Sequence, residues 1–161
     1  MNISRTQVDL NNSAFEIYLS GCKGHCSGCY NPELWNFNIG MPWQKYFIHH
    51  NILKKLYETK HMIDKIVILG GEPFDQNLNE LRSLLFVLKR KTLHELWVFT
   101  SYEHEELLNL YGNEPKFSLI LNMINYMKYG KYVKELEVED NIQFGYKLAT
   151  SNQYIKCLSS S

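Results

Sequence analysis

The chain has 161 residues, of which 45% are hydrophobic and 14% aromatic, enough to fill one globular core, so residues 1–161 are read as a single domain. Lysine plus arginine and aspartate plus glutamate number 17 each, giving zero formal net charge, and the basic excess that a broad nucleic-acid surface requires is missing. No apolar run is long enough to cross a bilayer and the N-terminus lacks the charged-then-apolar layout of a secretion signal, which predicts a cytoplasmic chain with no membrane partner.

Residues 1–13 are polar and are expected as a lead-in. Phe15-Glu16-Ile17-Tyr18-Leu19 alternates apolar and polar, the pattern of a strand, and Gly21 ends it. A cysteine-rich loop follows. Gly40 and Pro42 interrupt the chain before a helix expected from Trp43 to Thr59, where Phe47, Ile48, Ile52, Leu53 and Leu56 recur at helical spacing. Lys65-Ile66-Val67-Ile68-Leu69 reads as a buried parallel strand ending at Gly70-Gly71. Asn77, with Glu80 three residues on, nearly matches a capping box, and Leu78, Leu81, Leu84, Leu85 and Leu88 form the buried stripe of the helix it opens. A strand at Leu96–Phe99, a short helix from Glu103 to Leu110 and a strand from Phe117 to Leu121 are expected next. Gln143–Tyr146 and Tyr154–Cys157 read as short strands, and residues 158–161 as a disordered tail.

Strands alternating with helices predict an α/β fold with an open, mainly parallel sheet and flanking helices. A closed eight-unit barrel needs about 250 residues, so this chain supplies a partial (β/α) barrel, with one side left to the C-terminal segment or to a partner.

Three of the four cysteines fall in Gly21-Cys22-Lys23-Gly24-His25-Cys26-Ser27-Gly28-Cys29-Tyr30-Asn31-Pro32, directly after a predicted strand. Three thiols cannot pair off evenly, and a reducing cytosol disfavours disulfides. Soft thiolates suit iron–sulfur clusters, and the C-x3-C-x2-C spacing lets Cys22, Cys26 and Cys29 hold three irons of a [4Fe–4S] cubane, leaving the fourth free to chelate a substrate. The alternative is a zinc knuckle of the three thiolates with His25. Structural zinc prefers four closed ligands, His25 adjoins Cys26, and no second knuckle exists in the sequence. Cys157 reads as a buried or half-buried thiol.

A second motif, Gly70-Gly71-Glu72-Pro73, also follows a strand, and its glycines allow a ligand to approach the backbone closely. Ligand sites in parallel α/β folds gather at the C-terminal strand ends. If the three strands are parallel neighbours, the Cys loop, the Gly-Gly-Glu-Pro loop and Thr100-Ser101 share one face. The bland readings are a capping role for Glu72 and strand-end packing for Tyr30 and Thr100. His49-His50 reads as helix surface, and Trp35 and Trp43 as core or docking aromatics.

The Cys loop followed by Gly-Gly-Glu-Pro resembles the radical S-adenosylmethionine (SAM) superfamily. Ser20-Gly21-Cys22 through Cys29-Tyr30-Asn31, then Trp35, Trp97-Val98-Phe99-Thr100 with Tyr102, Gly130-Lys131-Tyr132 and Ser151-Asn152-Gln153, look more narrowly like the activating proteins of anaerobic ribonucleoside-triphosphate reductase. The chain departs from that pattern in lacking Gly-Pro-Gly within Val8–Ser13. It also carries Thr100-Ser101-Tyr102 for Thr-Gly-Tyr, and Asn122, Asn125 and Lys128 where acidic residues are usual. The resemblance implies SAM as second cofactor, with Gly70, Gly71 and Glu72 meeting its methionine moiety, Gly28 and Tyr30 near its adenine, and Thr100 at its ribose or methionine end. It implies no catalytic side chain, because cluster and SAM carry the chemistry. The implied partners are a glycyl-radical enzyme, the large subunit of anaerobic ribonucleotide reductase, and an electron donor such as flavodoxin or ferredoxin. A small radical SAM enzyme acting on a deazaguanine precursor or a peptide is the alternative function, and a non-catalytic metal-binding module a third.

Overall fold

A computed structural model describes residues 1–159. Its strands and helices are, in chain order, β1 (Asn2–Asp9), β2 (Ala14–Leu19), β3 (Met41–Pro42), α1 (Trp43–His49), α2 (Ile52–Glu58), β4 (Lys65–Gly70), α3 (Leu78–Lys91), β5 (Glu95–Phe99), α4 (His104–Tyr111), α5 (Pro115–Met123), β6 (Tyr126–Tyr129), β7 (Ile142–Gln143), β8 (Tyr146–Lys147) and β9 (Tyr154–Cys157). Seven strands form one sheet in the order β3-β1-β2-β4-β5-β6-β9. Its centre is parallel, β2 beside β4, β4 beside β5 and β5 beside β6, while the outer pairings, β1 with β2, β3 with β1 and β9 with β6, are antiparallel. The fold is therefore mixed α/β, and the expected parallel order of the three motif-bearing strands holds.

Each face of the sheet has its own core. Ile17, Leu19, Ile66, Ile68, Leu96, Val98 and Met127 pack under the helices, with Leu81, Leu84, Leu85 and Leu88 of α3 as the buried stripe. On the other face Ala14, Val67, Trp97 and Ile155 meet Tyr146 and Leu148 from the C-terminal segment. That segment covers the side of the sheet expected to need a cover. Its hairpin β7–β8 turns at Phe144 and Gly145, both at positive φ (48° and 77°), as a tight two-residue hairpin turn requires.

Several expectations are corrected. Residues 2–9, read as a lead-in, form β1; only Ile3 is fully buried, and the polar side chains face solvent or serve β2. The single helix expected from Trp43 to Thr59 breaks into α1 and α2 at Asn51, whose φ of 50° is the left-handed conformation that asparagine tolerates better than most residues. Phe117–Leu121, read as a strand, lies within α5, which opens with Pro115 in its first turn and buries Phe117 and Ile120 three residues apart. Asn77 caps α3, accepting from the amides of Asn79 (2.9 Å) and Glu80 (3.3 Å), but the Glu80 carboxylate turns to the N-terminal amine of Met1 at 2.8 Å. Cys157 is exposed. Of the expected tail, Leu158 is ordered, its amide donating to Asn125 O at 2.7 Å, and residues 160–161 lie outside the described residues. No helix among the described residues is long and apolar enough to cross a membrane.

Candidate metal centre

The Cys loop leaves the C-terminal end of β2 and is folded back at once. The amides of Gly21 and Cys22 donate to the carbonyls of Leu34 (2.8 Å) and Trp35 (3.3 Å), in a 3-10 turn over Pro32–Trp35. Gly21 adopts φ +111°, and a Cβ there would stand 2.0 Å from the Phe37 ring, so this corner requires glycine. Cys22, Cys26 and Cys29 are all half-buried free thiols. The sulfurs of Cys22 and Cys26 flank Gly24, 3.5 and 4.0 Å from where its Cβ would be. The Cys29 amide donates to Cys26 O at 3.2 Å, closing the last turn of the loop.

Burial pushes the Cys22 thiol above its ordinary pKa, with the carboxylates of Glu72 and Asp75 adding to the rise and the Gly24 and His25 amides opposing it. Burial also raises Cys26, helped by Cys29 and opposed by Lys131 and Lys128. His25 does not join the thiols as a fourth ligand side chain; its ring stacks on Trp35 with centroids 4.5 Å apart. Among the described residues no three Cys, His, Asp or Glu side chains converge as a site for one ion requires. Three soft thiolates on one loop are the donor set that iron–sulfur clusters take, and His25, stacked on Trp35, is not among them.

The Gly-Gly-Glu-Pro loop, leaving β4, lies directly against the Cys loop. Gly71 N donates to Leu19 O and Glu72 N to Gly21 O, both at 2.8 Å. The approach is so close that a Cβ on Gly71 would stand 2.3 Å from Gly21 O, and Gly70 adopts φ +108°. Glu72 is 1% exposed. Its carboxylate accepts from the Thr100 hydroxyl, from Ser101 N at 2.7 Å and from Phe74 N at 3.4 Å. Burial raises its pKa to about 7 against these donors. Glu72 thus caps the 3-10 turn Pro73–Asp75 and also binds the loop after β5. Thr100, 1% exposed, is committed to Glu72.

Cys22, Cys26, Gly70, Gly71, Glu72 and Thr100 therefore sit at one end of the sheet. Gly28 and Tyr30 lie against the segment that follows β6. A Cβ on Gly28 (φ +75°) would stand 3.2 Å from the Tyr132 ring, and the Tyr30 ring lies 5.1 Å from that of Tyr132. Both tyrosine hydroxyls donate to Glu137.

Two further residues, Asp75 and Gln76, escaped sequence reasoning, and Lys128 entered it only as a departure from the family pattern. Asp75 accepts from the Lys23 amide at 2.8 Å and from the Tyr102 hydroxyl. The buried Gln76 amide donates to the carbonyls of Ser20, Gly21 and Glu72, each at 3.1 Å. Lys128 is half-buried beside Phe99, its Nζ 5.6 Å from the ring centre and 3.1 Å from Gly130 O. Burial lowers its pKa to about 8, opposed by Glu72 and Cys26. The nearness of Asp75 and Gln76 to the Gly-Gly-Glu-Pro motif was the one available signal for those two.

A family model described as a 4Fe-4S single cluster domain matches residues 13–155. Among curated proteins, the chain is 29% identical to the anaerobic ribonucleoside-triphosphate reductase-activating protein of Escherichia coli K12, over 86% of this chain and 84% of that one. It is 30% identical to the protein of that name from Salmonella typhi over 75% of each chain, and 28% identical to that of Enterobacteria phage T4 over 74% of this chain and 71% of the relative. No solved structure matches. With the cluster-domain match spanning β2 to β9 and the relatives covering most of its length, the chain belongs to the 4Fe-4S single cluster domain family and, within it, to the anaerobic ribonucleoside-triphosphate reductase-activating proteins.

Proposed function

We propose that the protein is a radical SAM activating enzyme that generates a glycyl radical on anaerobic ribonucleotide reductase, working in the cytoplasm with a flavodoxin- or ferredoxin-type electron donor. The observation that carries this reading is the docking of the Gly-Gly-Glu-Pro loop onto the three-thiol loop, through Glu72 N to Gly21 O at 2.8 Å. When bound, cluster and SAM would supply reductive cleavage of the sulfonium and with it the one-electron chemistry that a glycyl radical on the partner requires.

The chain's own residues hold and shield that chemistry. Cys22, Cys26 and Cys29 hold the cluster and leave one iron without a protein ligand. Gly70 and Gly71, bare of side chains, let the methionine end of SAM lie against the backbone after β4. Glu72 and Thr100, bonded to each other, keep the β4 and β5 loops in register, so their contribution to SAM is through the backbone they fix. Gly28 and Tyr30 bound the adenine side, with Tyr132 behind them. Residues 1–161 act as one domain, an open partial barrel: the helices lie on its outer face and Tyr146 and Leu148 on its inner face. That leaves the rim with the three loops for a glycine-bearing loop of the partner.

The test is anaerobic reconstitution with iron and sulfide, followed by reduction in the presence of SAM. The expected products are 5′-deoxyadenosine and, with the reductase present, a glycyl radical seen by electron paramagnetic resonance. Cleavage of SAM with no radical on the reductase would point to a different substrate, and failure to take up iron would end the reading.

A further inference from the structure

The side chains of Asp75 and Gln76 reach back from the turn after Gly-Gly-Glu-Pro and hold the Cys loop on both sides of Cys22. On the N-terminal side, the Gln76 amide donates to Ser20 O and Gly21 O, while also holding Glu72 O of its own loop. On the C-terminal side, the Asp75 carboxylate accepts from the Lys23 amide at 2.8 Å, and its other oxygen takes the Tyr102 hydroxyl. Cys22 is thus bracketed by bonds to residues 20, 21 and 23 from two adjacent side chains. Among the described residues, no side chain of the β4 loop ties down Cys26 or Cys29 in this way.

Gln76 is 7% exposed, and its amide shares two of its three carbonyls with backbone donors, Gly21 O with Glu72 N at 2.8 Å and Glu72 O with Asp75 N at 3.1 Å. Exposed surface glutamines gain little from such bonds, whereas a buried amide satisfied by three carbonyls fixes the backbone it touches. Asp75 joins three loops at once, because Lys23 belongs to the Cys loop, Tyr102 to the loop after β5, and Asp75 itself to the loop after β4.

We infer that Asp75 and Gln76 are positioning residues that fix the Cys22 corner of the cluster site relative to the Gly70–Glu72 loop. The inference rests on the reading of Cys22 as a cluster ligand, but the geometry it describes belongs to the polypeptide. A ligand held from both sides keeps its sulfur in place whether the neighbouring iron is reduced or oxidised, and the same turn carries the backbone proposed to meet SAM. Movement of either loop is therefore passed to the other.

Four variants test it: Asp75→Ala, Asp75→Asn, Gln76→Ala and Gln76→Glu. Asparagine keeps an acceptor for Lys23 N and a donor for the Tyr102 oxygen while removing the charge. Glutamate at 76 keeps the size of glutamine but turns a donor into an acceptor facing carbonyls. In cluster-free protein, hydrogen exchange at the Lys23 amide is expected to quicken about tenfold in Asp75→Ala and to stay within about threefold of wild type in Asp75→Asn. In reconstituted protein, iron release to a chelator is expected to quicken about tenfold in Asp75→Ala, Gln76→Ala and Gln76→Glu, with Asp75→Asn near wild type. The resonance of the reduced cluster should shift in the same three variants. Unchanged Lys23 exchange in Asp75→Ala, or an asparagine variant as impaired as alanine, overturns the inference. If the wild-type protein takes up no cluster, the functional reading fails, while the Lys23 measurement still decides the clamp.

Discussion

The hydroxyl of Thr100 donates to the carboxylate of Glu72, joining the loop after β5 to the loop after β4 inside a site with almost no solvent contact. Burial holds the Glu72 carboxyl at a pKa of about 7, against an ordinary value of 4.5. Between those two values the folded chain keeps a proton that the unfolded chain has lost. Stability therefore falls as pH rises through that window, by on the order of 3 kcal/mol once both states are ionised. Urea unfolding of cluster-free protein from pH 4 to 8 should show this slope, and Glu72→Gln should flatten it. A wild-type slope retained in the variant would mean that another group titrates there.

Gly71 has no room for a side chain, since a Cβ would stand 2.3 Å from Gly21 O. The obstacle is backbone, which cannot swing aside as a flexible side chain does. Gly71→Ala is expected to destabilise the protein by about 1–3 kcal/mol and to push the Cys loop away from the β4 loop. Thermal unfolding gives the first effect and iron content after reconstitution the second. Normal iron content with full stability would show that the two loops are not in contact in solution.

Tyr146 closes the C-terminal segment onto the sheet. Its hydroxyl donates to the buried Glu16 carboxylate at 2.8 Å, beside the Gln7 amide at 2.6 Å. Tyr146→Phe keeps the ring packing and deletes the bond, at an expected cost of about 1–3 kcal/mol for a bond to a charged acceptor. Chemical denaturation measures it. An unchanged midpoint would mean that Glu16 is fully satisfied by Gln7 and Tyr18.

The four thiols should separate cleanly. Cys157 is exposed on β9, at the edge of the sheet, whereas Cys22, Cys26 and Cys29 share the loop after β2. Cys157→Ser is expected to retain the full iron and sulfide content of reconstituted protein, and serine at position 22, 26 or 29 to lose most of it. Visible absorption and metal analysis report both. Iron loss in Cys157→Ser would reassign the ligand set.

The sequence carried β2, β4, β5 and α3 openly: β2 alternates and ends at Gly21, β4 and β5 are short apolar runs, the first ending at Gly70-Gly71, and α3 shows a leucine stripe that starts at the Asn77 cap. It also carried the convergence of three loops, since parallel strands leave little choice about where their ends lie. It hid α5, because Phe117-Ser118-Leu119-Ile120-Leu121 is apolar at nearly every position and shows no period, so only Pro115 marked a helix start. It hid β1, whose polar residues look like a tail until Gln7 is seen serving Glu16 and Arg5 lying over the Tyr18 ring at 4.1 Å. Within the site, the thiols and glycines were legible from type and spacing. Asp75 and Gln76 were not, because the bonds that tie them to the Cys loop go to backbone atoms more than 50 residues away, and no pattern in a chain records which backbone group a side chain will find.

Every loop tied to the cysteines emerges from the same end of the four parallel strands, while the turn at Thr92–His94, where Leu93 is fully exposed, belongs to the other end. A six-residue strand puts about 20 Å between the two. A fluorophore or a fused carrier attached at position 93 would therefore ride on the back of the scaffold, leaving the working rim free for its large partner and giving docking studies a reporter that does not compete with what it reports.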